Sequence, residues 1–151
     1  MATISLTGAD TIKLNQRLLT DFPDGDVAKL TYEADNVTMA VGKNGNTIIV
    51  ANESGRKAKL ELRVMRGSKD DEYLNSQQTL QNTNLPATVL ASGLIAKTIG
   101  DGSGNLTFDQ YSLVAGVFTK IPEVTSNVQG EKEQAVTVYM MEFSGAVRSL
   151  S

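Results

Sequence analysis

The chain of 151 residues contains no cysteine, no histidine and no tryptophan. Without cysteine there is no disulfide framework, no thiol nucleophile and no thiolate metal site. Without histidine the chain lacks the commonest general base near neutral pH and the commonest transition-metal ligand. The Ser-His-Asp, Cys-His and helical zinc templates are therefore excluded. Aromatic residues make up only 5%, few for the stacking platforms on which sugar sites usually depend. No block of five like charges occurs, and a net charge of −3 with a pI near 4.9 leaves no basic footprint for gripping nucleic acid. The longest near-continuous apolar run, Leu113 to Phe118, is far too short to span a bilayer. The opening MATISLTGAD carries neither a basic leader nor an apolar stretch, so the expectation is a protein made and kept in a cytoplasm, with no membrane anchor.

What the chain does have is 40% apolar residues in a strand-like arrangement. That is enough for one packed core, and a single domain over 1–151 is expected. The segment Gly42 to Asp71 reads as turn, strand, turn, strand and helix start. Asn44 and Gly45 suit the left-handed angles of a tight hairpin turn, and Thr47 to Ala51 is β-branched enough for a strand buried on both faces. After a turn at Glu53 to Gly55, alternation is strict: Ala58, Leu60, Leu62 and Val64 point one way, Lys57, Lys59, Glu61 and Arg63 the other. Ser68, with Asp70, Asp71 and Glu72 behind it, predicts a capped helix over 68–82 whose acidic first turn suits the macrodipole. Its apolar anchors are Tyr73, Leu74 and Leu80. Its many amides leave two readings open, a solvated surface helix or one whose amides bond across a subunit contact.

Further strands are expected at Thr11 to Gln16, Ala28 to Glu33, Val37 to Val41, Leu94 to Ile99, Leu106 to Asp109 and Ala135 to Phe143, with Asn82 to Ser92 as a loop. Tyr111 to Lys120 fits either a strand or a short helix. Ile4 and Leu6 alternate with polar neighbours in an amino-terminal arm, 1–9, whose unpaired backbone suits addition to a neighbouring sheet edge.

Four groupings invite a chemical role and are better explained without one. Asp21, Asp24 and Asp26 suggest calcium, but the twelfth residue from Asp21 is Tyr32 where an EF-hand needs glutamate. Gly100, Gly102 and Gly104 lack the lysine and hydroxyl of a phosphate loop and precede a strand. The pair Asp70 and Asp71 suits a helix dipole, and Glu131 with Glu133 suits a solvated loop. No catalytic residue, metal ligand or cofactor site is therefore expected, and the chain reads as a non-enzyme.

The order of these features resembles one family. TIKLNQRLLTDFPDGD at 11–26, GKNGNTIIVANESGRKAKLELRVMRGSKDDEYLN at 42–75, and the segments FDQYSLVAGVFTKIPEV and VYMMEFSGAV are similar to the tail tube proteins of contractile-tailed bacteriophages. The resemblance covers most of the chain. It implies a mainly β fold of two packed antiparallel sheets with one flanking helix, related to the type VI secretion tube protein. It also implies six-subunit rings stacked into a hollow tube inside a contractile sheath, with baseplate and tail terminator proteins as partners. DNA would meet such a tube only in transit through its lumen, and the protein would reside in the virion tail after assembly in the host cytoplasm.

From the residues, subunit or ring contacts are expected at Ile4, Leu6, Gly42, Lys43, Asn44, Gly45, Asn46, Ile49, Glu53 and Arg56. The polar face Lys29, Thr31, Glu33, Lys59, Glu61 and Arg63 is a candidate lumen wall of mixed sign. Two other classes stay open: a tube initiator or baseplate ring of the same fold, and a carbohydrate-binding β-sandwich.

Overall fold

The computed structural model describes residues 6–7, 10–23, 27–124 and 135–151. Ile4 and most of the amino-terminal arm, Asp24, Asp26, Glu131 and Glu133 lie outside the described residues. Ten strands are present among them: β1 (Leu6–Thr7), β2 (Thr11–Leu14), β3 (Arg17–Leu18), β4 (Ala28–Tyr32), β5 (Val37–Val41), β6 (Thr47–Ala51), β7 (Ala58–Met65), β8 (Ala91–Gly100), β9 (Leu106–Lys120) and β10 (Val136–Leu150). The helix α1 (Lys69–Thr83) joins β7 to β8. The chain is thus mainly β with one flanking helix and two antiparallel sheets, as expected. The sheets are very unequal: eight strands run β3-β2-β8-β9-β10-β7-β4 with β1 beside β8, while β5 and β6 form a separate ribbon.

The core follows from the alternation of β7. Ala58, Leu60, Leu62 and Val64 are at most 1% exposed and pack with Tyr139, Met141 and Phe143 of β10, Leu113 and Phe118 of β9, Ile12 and Leu14 of β2, and Leu74 of α1. Residues from both ends of the strand order enter one cluster, so the large sheet curls around its own side chains. It does not close. Its terminal strands share no ladder, and β4 faces β2 and β8 across a cavity of about 780 Å³.

Several elements differ from the expectation. Thr11 to Gln16 is not one strand: Asn15 and Gln16 take φ of 51° and 69° and turn the chain between β2 and β3. The primed two-residue turn assigned to Asn44 and Gly45 sits here instead. Asn15 is held by its N–H donating to Ser92 O at 2.8 Å and by its Oδ1 accepting from Ser92 N at 3.0 Å. These bonds offset the left-handed backbone of two non-glycine residues. Between β5 and β6 only Gly45, at φ 80°, is left-handed, with Gly45 N donating to Gly42 O at 3.0 Å. Tyr111 to Lys120 is strand throughout, part of the long β9. Ala115, at φ 55°, forms a bulge where the β8 register shifts between Ala91 and Gly93. The last strand runs to Leu150 rather than Phe143, because Gly145 and Ala146 continue the ladder to Val114 and Leu113.

The helix begins where its cap predicts, with Asp71 N donating to Ser68 Oγ at 3.2 Å. Its inner face is the expected one in part: Leu74 is fully buried and Tyr73 packs against the core. Leu80 is 67% exposed, while Gln78 and Gln81 are buried. The cause lies in β9: β8 starts opposite Gly116, so beyond it the outward N–H and C=O of Phe118 have no strand neighbour. Gln81 takes that place, its Nε2 donating to Phe118 O at 2.7 Å and its Oε1 accepting from Phe118 N at 2.8 Å. Gln78 Nε2 donates to Lys120 O at 2.9 Å. These two amides are spent within the chain, not across a subunit contact. Gln81→Leu is expected to orphan both Phe118 groups and cost about 2 kcal/mol, read as a lowered urea midpoint. Gln81→Glu keeps the acceptor but loses the donor and buries a carboxylate against the Phe118 carbonyl, so its loss is expected to be at least as large.

Candidate assembly surface

The carboxylates that invite a catalytic reading serve the fold. Asp70 is 1% exposed, and its Oδ2 accepts from Thr20 N at 2.7 Å and Asp21 N at 2.8 Å, while Oδ1 meets Arg17 at 3.2 Å. It fixes the loop after β3 to the start of α1. Asp71 accepts from Tyr139 Oη at 2.6 Å, Gly67 N at 2.8 Å and Thr137 Oγ1 at 3.2 Å, tying the helix start to β10. Neither position was readable as a tertiary anchor from the acidic run alone, since a dipole-favouring first turn looks identical.

Burial, followed by the bond to the Asp71 carboxylate, holds the Tyr139 hydroxyl protonated well above the usual tyrosine range. The folded chain therefore binds this proton more tightly than the unfolded chain. The sign of the linkage makes the contribution complete below a pH of about 10, the ordinary tyrosine value, and loses it as pH rises above that. Urea midpoints should fall across alkaline pH, and Tyr139→Phe should flatten that part of the fall while lowering stability at neutral pH.

Among the described residues the ribbon β5–β6 pairs with no other strand. Every residue of both strands is exposed, against the expectation that Thr47 to Ala51 is buried on both faces. The β-branched run was read correctly as strand; its covering was not, because patterning shows which residues seek burial and not which molecule supplies it. The register pairs Met39 with Ile49 and Ala40 with Ile48. One face therefore carries Val37, Met39, Val41 and Ile49, exposed by 49%, 63%, 68% and 62%, and the other carries Ile48 and Val50 at 63% and 54%. A two-stranded ribbon in water is marginal at best, and one apolar on both faces demands a cover.

Around the ribbon, Gly42, Lys43, Asn44, Gly45 and Asn46 form its exposed tip, with Gly42 N donating to Asn46 O at 2.8 Å. Glu53 opens the short 3-10 turn at its base, where Arg56 is exposed. Gly55 in that turn has no room for a side chain: a Cβ would lie 2.6 Å from Asp35 O. The structure thus gathers the expected contact residues from Gly42 to Arg56 onto one projecting unit. Leu6 stands apart. Its side chain is 57% exposed, and its backbone pairs with Gly100 of β8, which uses one edge of this part of the arm within the chain. A second uncovered apolar stretch, missed in the sequence, runs through Leu80, Leu85, Val89 and Leu90, with Val89 91% exposed.

The polar face also comes together. Lys29 lies directly opposite Glu61 and Thr31 opposite Lys59 across the β4–β7 ladder, with Arg63 farther along β7. Lys59 meets Glu33 at 2.6 Å and Glu142 at 3.8 Å, and Lys57 bridges the same two acids at 3.6 and 3.5 Å. The hydrogen bond from Lys59, first, and the nearby lysine charges hold the Glu33 carboxyl below its ordinary range. Among the six residues of this face, three cations stand against two carboxylates, so it is mixed and locally neutralised, not acidic. Arg63 Nε is buried without a hydrogen-bond partner among the described residues.

No protein-family model matches the chain, and a search of curated proteins finds no match. Among the described residues no helix is long and apolar enough to cross a membrane.

Proposed function

We propose that this chain is a structural protomer that assembles with copies of itself, and that the assembly is the tube of a contractile phage tail, built from stacked rings through which DNA passes. The observation that carries self-assembly is the β5–β6 ribbon: ten residues whose apolar side chains are open to solvent on both faces, attached to a domain whose own core is complete without them. Such an element is stable in water only when another molecule covers it. The tail-tube identity rests on the sequence resemblance, which the mainly β fold with one flanking helix accommodates. The acids that invited a catalytic reading, Asp70 and Asp71, are occupied in holding the fold, which supports a non-enzymatic role. A surface of paired opposite charges on β4 and β7 has little grip on phosphate, as suits a wall past which DNA slides.

Negative-stain imaging of the purified protein, concentrated stepwise, tests the reading. Stacked tubes are expected. Isolated rings that do not extend would favour a tube initiator or baseplate role on the same fold, and particles no larger than one chain would overturn the reading.

A further inference from the structure

The ribbon needs a cover, and the same chain carries a site of matching character. Where the large sheet fails to close, β4 is an edge strand, paired with β7 on one side and, among the described residues, with no strand on the other. The open side faces the 780 Å³ cavity, whose walls include Ile12, Phe22, Val27, Leu30 and Ile95, with the Asp10–Lys97 ion pair at its rim. An unpaired edge beside an apolar cavity is suited to adding a strand: the edge supplies backbone hydrogen bonds, and the cavity takes the side chains that point inward.

Resting on the self-assembly reading above, we propose that the occupant of this site is the β5–β6 ribbon of a second copy. The lengths agree, since β4, β5 and β6 each contain five residues. The faces agree as well. A ribbon strand paired with β4 would turn one face into the cavity, and the face bearing Val37, Met39, Val41 and Ile49 offers four large apolar side chains to it. The other face, with Ile48 and Val50, then remains outward for a further contact.

The geometry of such a contact sets the form of the assembly. Ribbon and cavity are different parts of one chain, so the contact is head-to-tail: each copy gives a ribbon and receives one. Unless two copies exchange ribbons reciprocally into a closed dimer, such contacts close into rings or extend into filaments. A single ribbon face measures roughly 17 by 10 Å from strand geometry, far below the ~800 Å² per partner of a stable pair. Isolated pairs should therefore be weak, and assembly should set in abruptly with concentration once contacts can accumulate.

The absence of cysteine gives a clean test. Two full-length proteins, one with Met39→Cys on the ribbon and one with Asp10→Cys on the cavity rim, are mixed under assembling conditions and treated with a short bismaleimide. Met39→Cys mixed with Lys59→Cys, on the polar face, is the control. The expected result is a Met39–Asp10 crosslinked pair at least tenfold more abundant than the control pair. Assembled particles that crosslink at Lys59 instead, or at neither position, would overturn the ribbon-in-cavity contact while leaving self-assembly standing. Proteins that stay monomeric throughout would overturn both.

Discussion

Ile49→Lys is expected to leave the protomer folded and to abolish its assembly. Ile49 is 62% exposed on the ribbon, so its replacement should shift stability by no more than about 0.5 kcal/mol. In the assembly the same position would bury a charge with no partner, a penalty of about 3 kcal/mol or more. That is roughly a hundredfold or greater rise in the concentration needed for assembly. Circular dichroism and thermal melting should match the parent protein, while sedimentation shows monomer. Ile48→Lys should also fold, because both faces of the ribbon are open; Leu62→Lys, at a core position with 0% exposure, should not. Unfolding of Ile49→Lys would mean that the ribbon is covered by its own chain.

A large loss of stability is also expected at Asp70. Asp70→Ala removes the acceptor for two backbone N–H groups and the partner of Arg17 from a site that is 1% exposed. A cost of about 3 kcal/mol is expected, which for a chain of this length lowers Tm by about 6 to 12 °C. Asp70→Asn keeps one oxygen for Thr20 N and Asp21 N but gives up both the charge and the acceptor facing Arg17, whose side chain is 39% exposed. Its loss should be near 1 kcal/mol, since pairing with a solvated cation is screened. Equal losses for both variants would place the stabilisation in the ion pair and not in the two N–H bonds.

Local signals were legible in the sequence wherever one residue's preference settled the outcome. The strict alternation of Lys57 to Val64 gave the central strand and its buried face, and Ser68 gave the helix cap. What escaped the sequence depended on partners distant along the chain. The turn at Asn15 and Gln16 is held by Ser92, 77 positions from Asn15. Gln81 is buried because β8 begins too late to pair with Phe118, a consequence of register rather than of local polarity. Asp70 and Asp71 looked like dipole partners and are also the pegs that fasten α1 to the sheet. The candidate site was half legible in the same sense. Turn residues and β-branched strands located the ribbon, but the apolar pattern of Thr47 to Ala51 reads the same whether its own core or a second copy provides the cover.

Amide hydrogen exchange, compared between dilute monomer and concentrated assembly, tests the central claim most directly, because it reports which backbone becomes covered. The account predicts fast exchange across residues 37–51 in the monomer and strong protection of the same residues on assembly, together with new protection along the β4 edge at 28–32. Assembly that protects other segments while residues 37–51 continue to exchange as fast as in the monomer would contradict it.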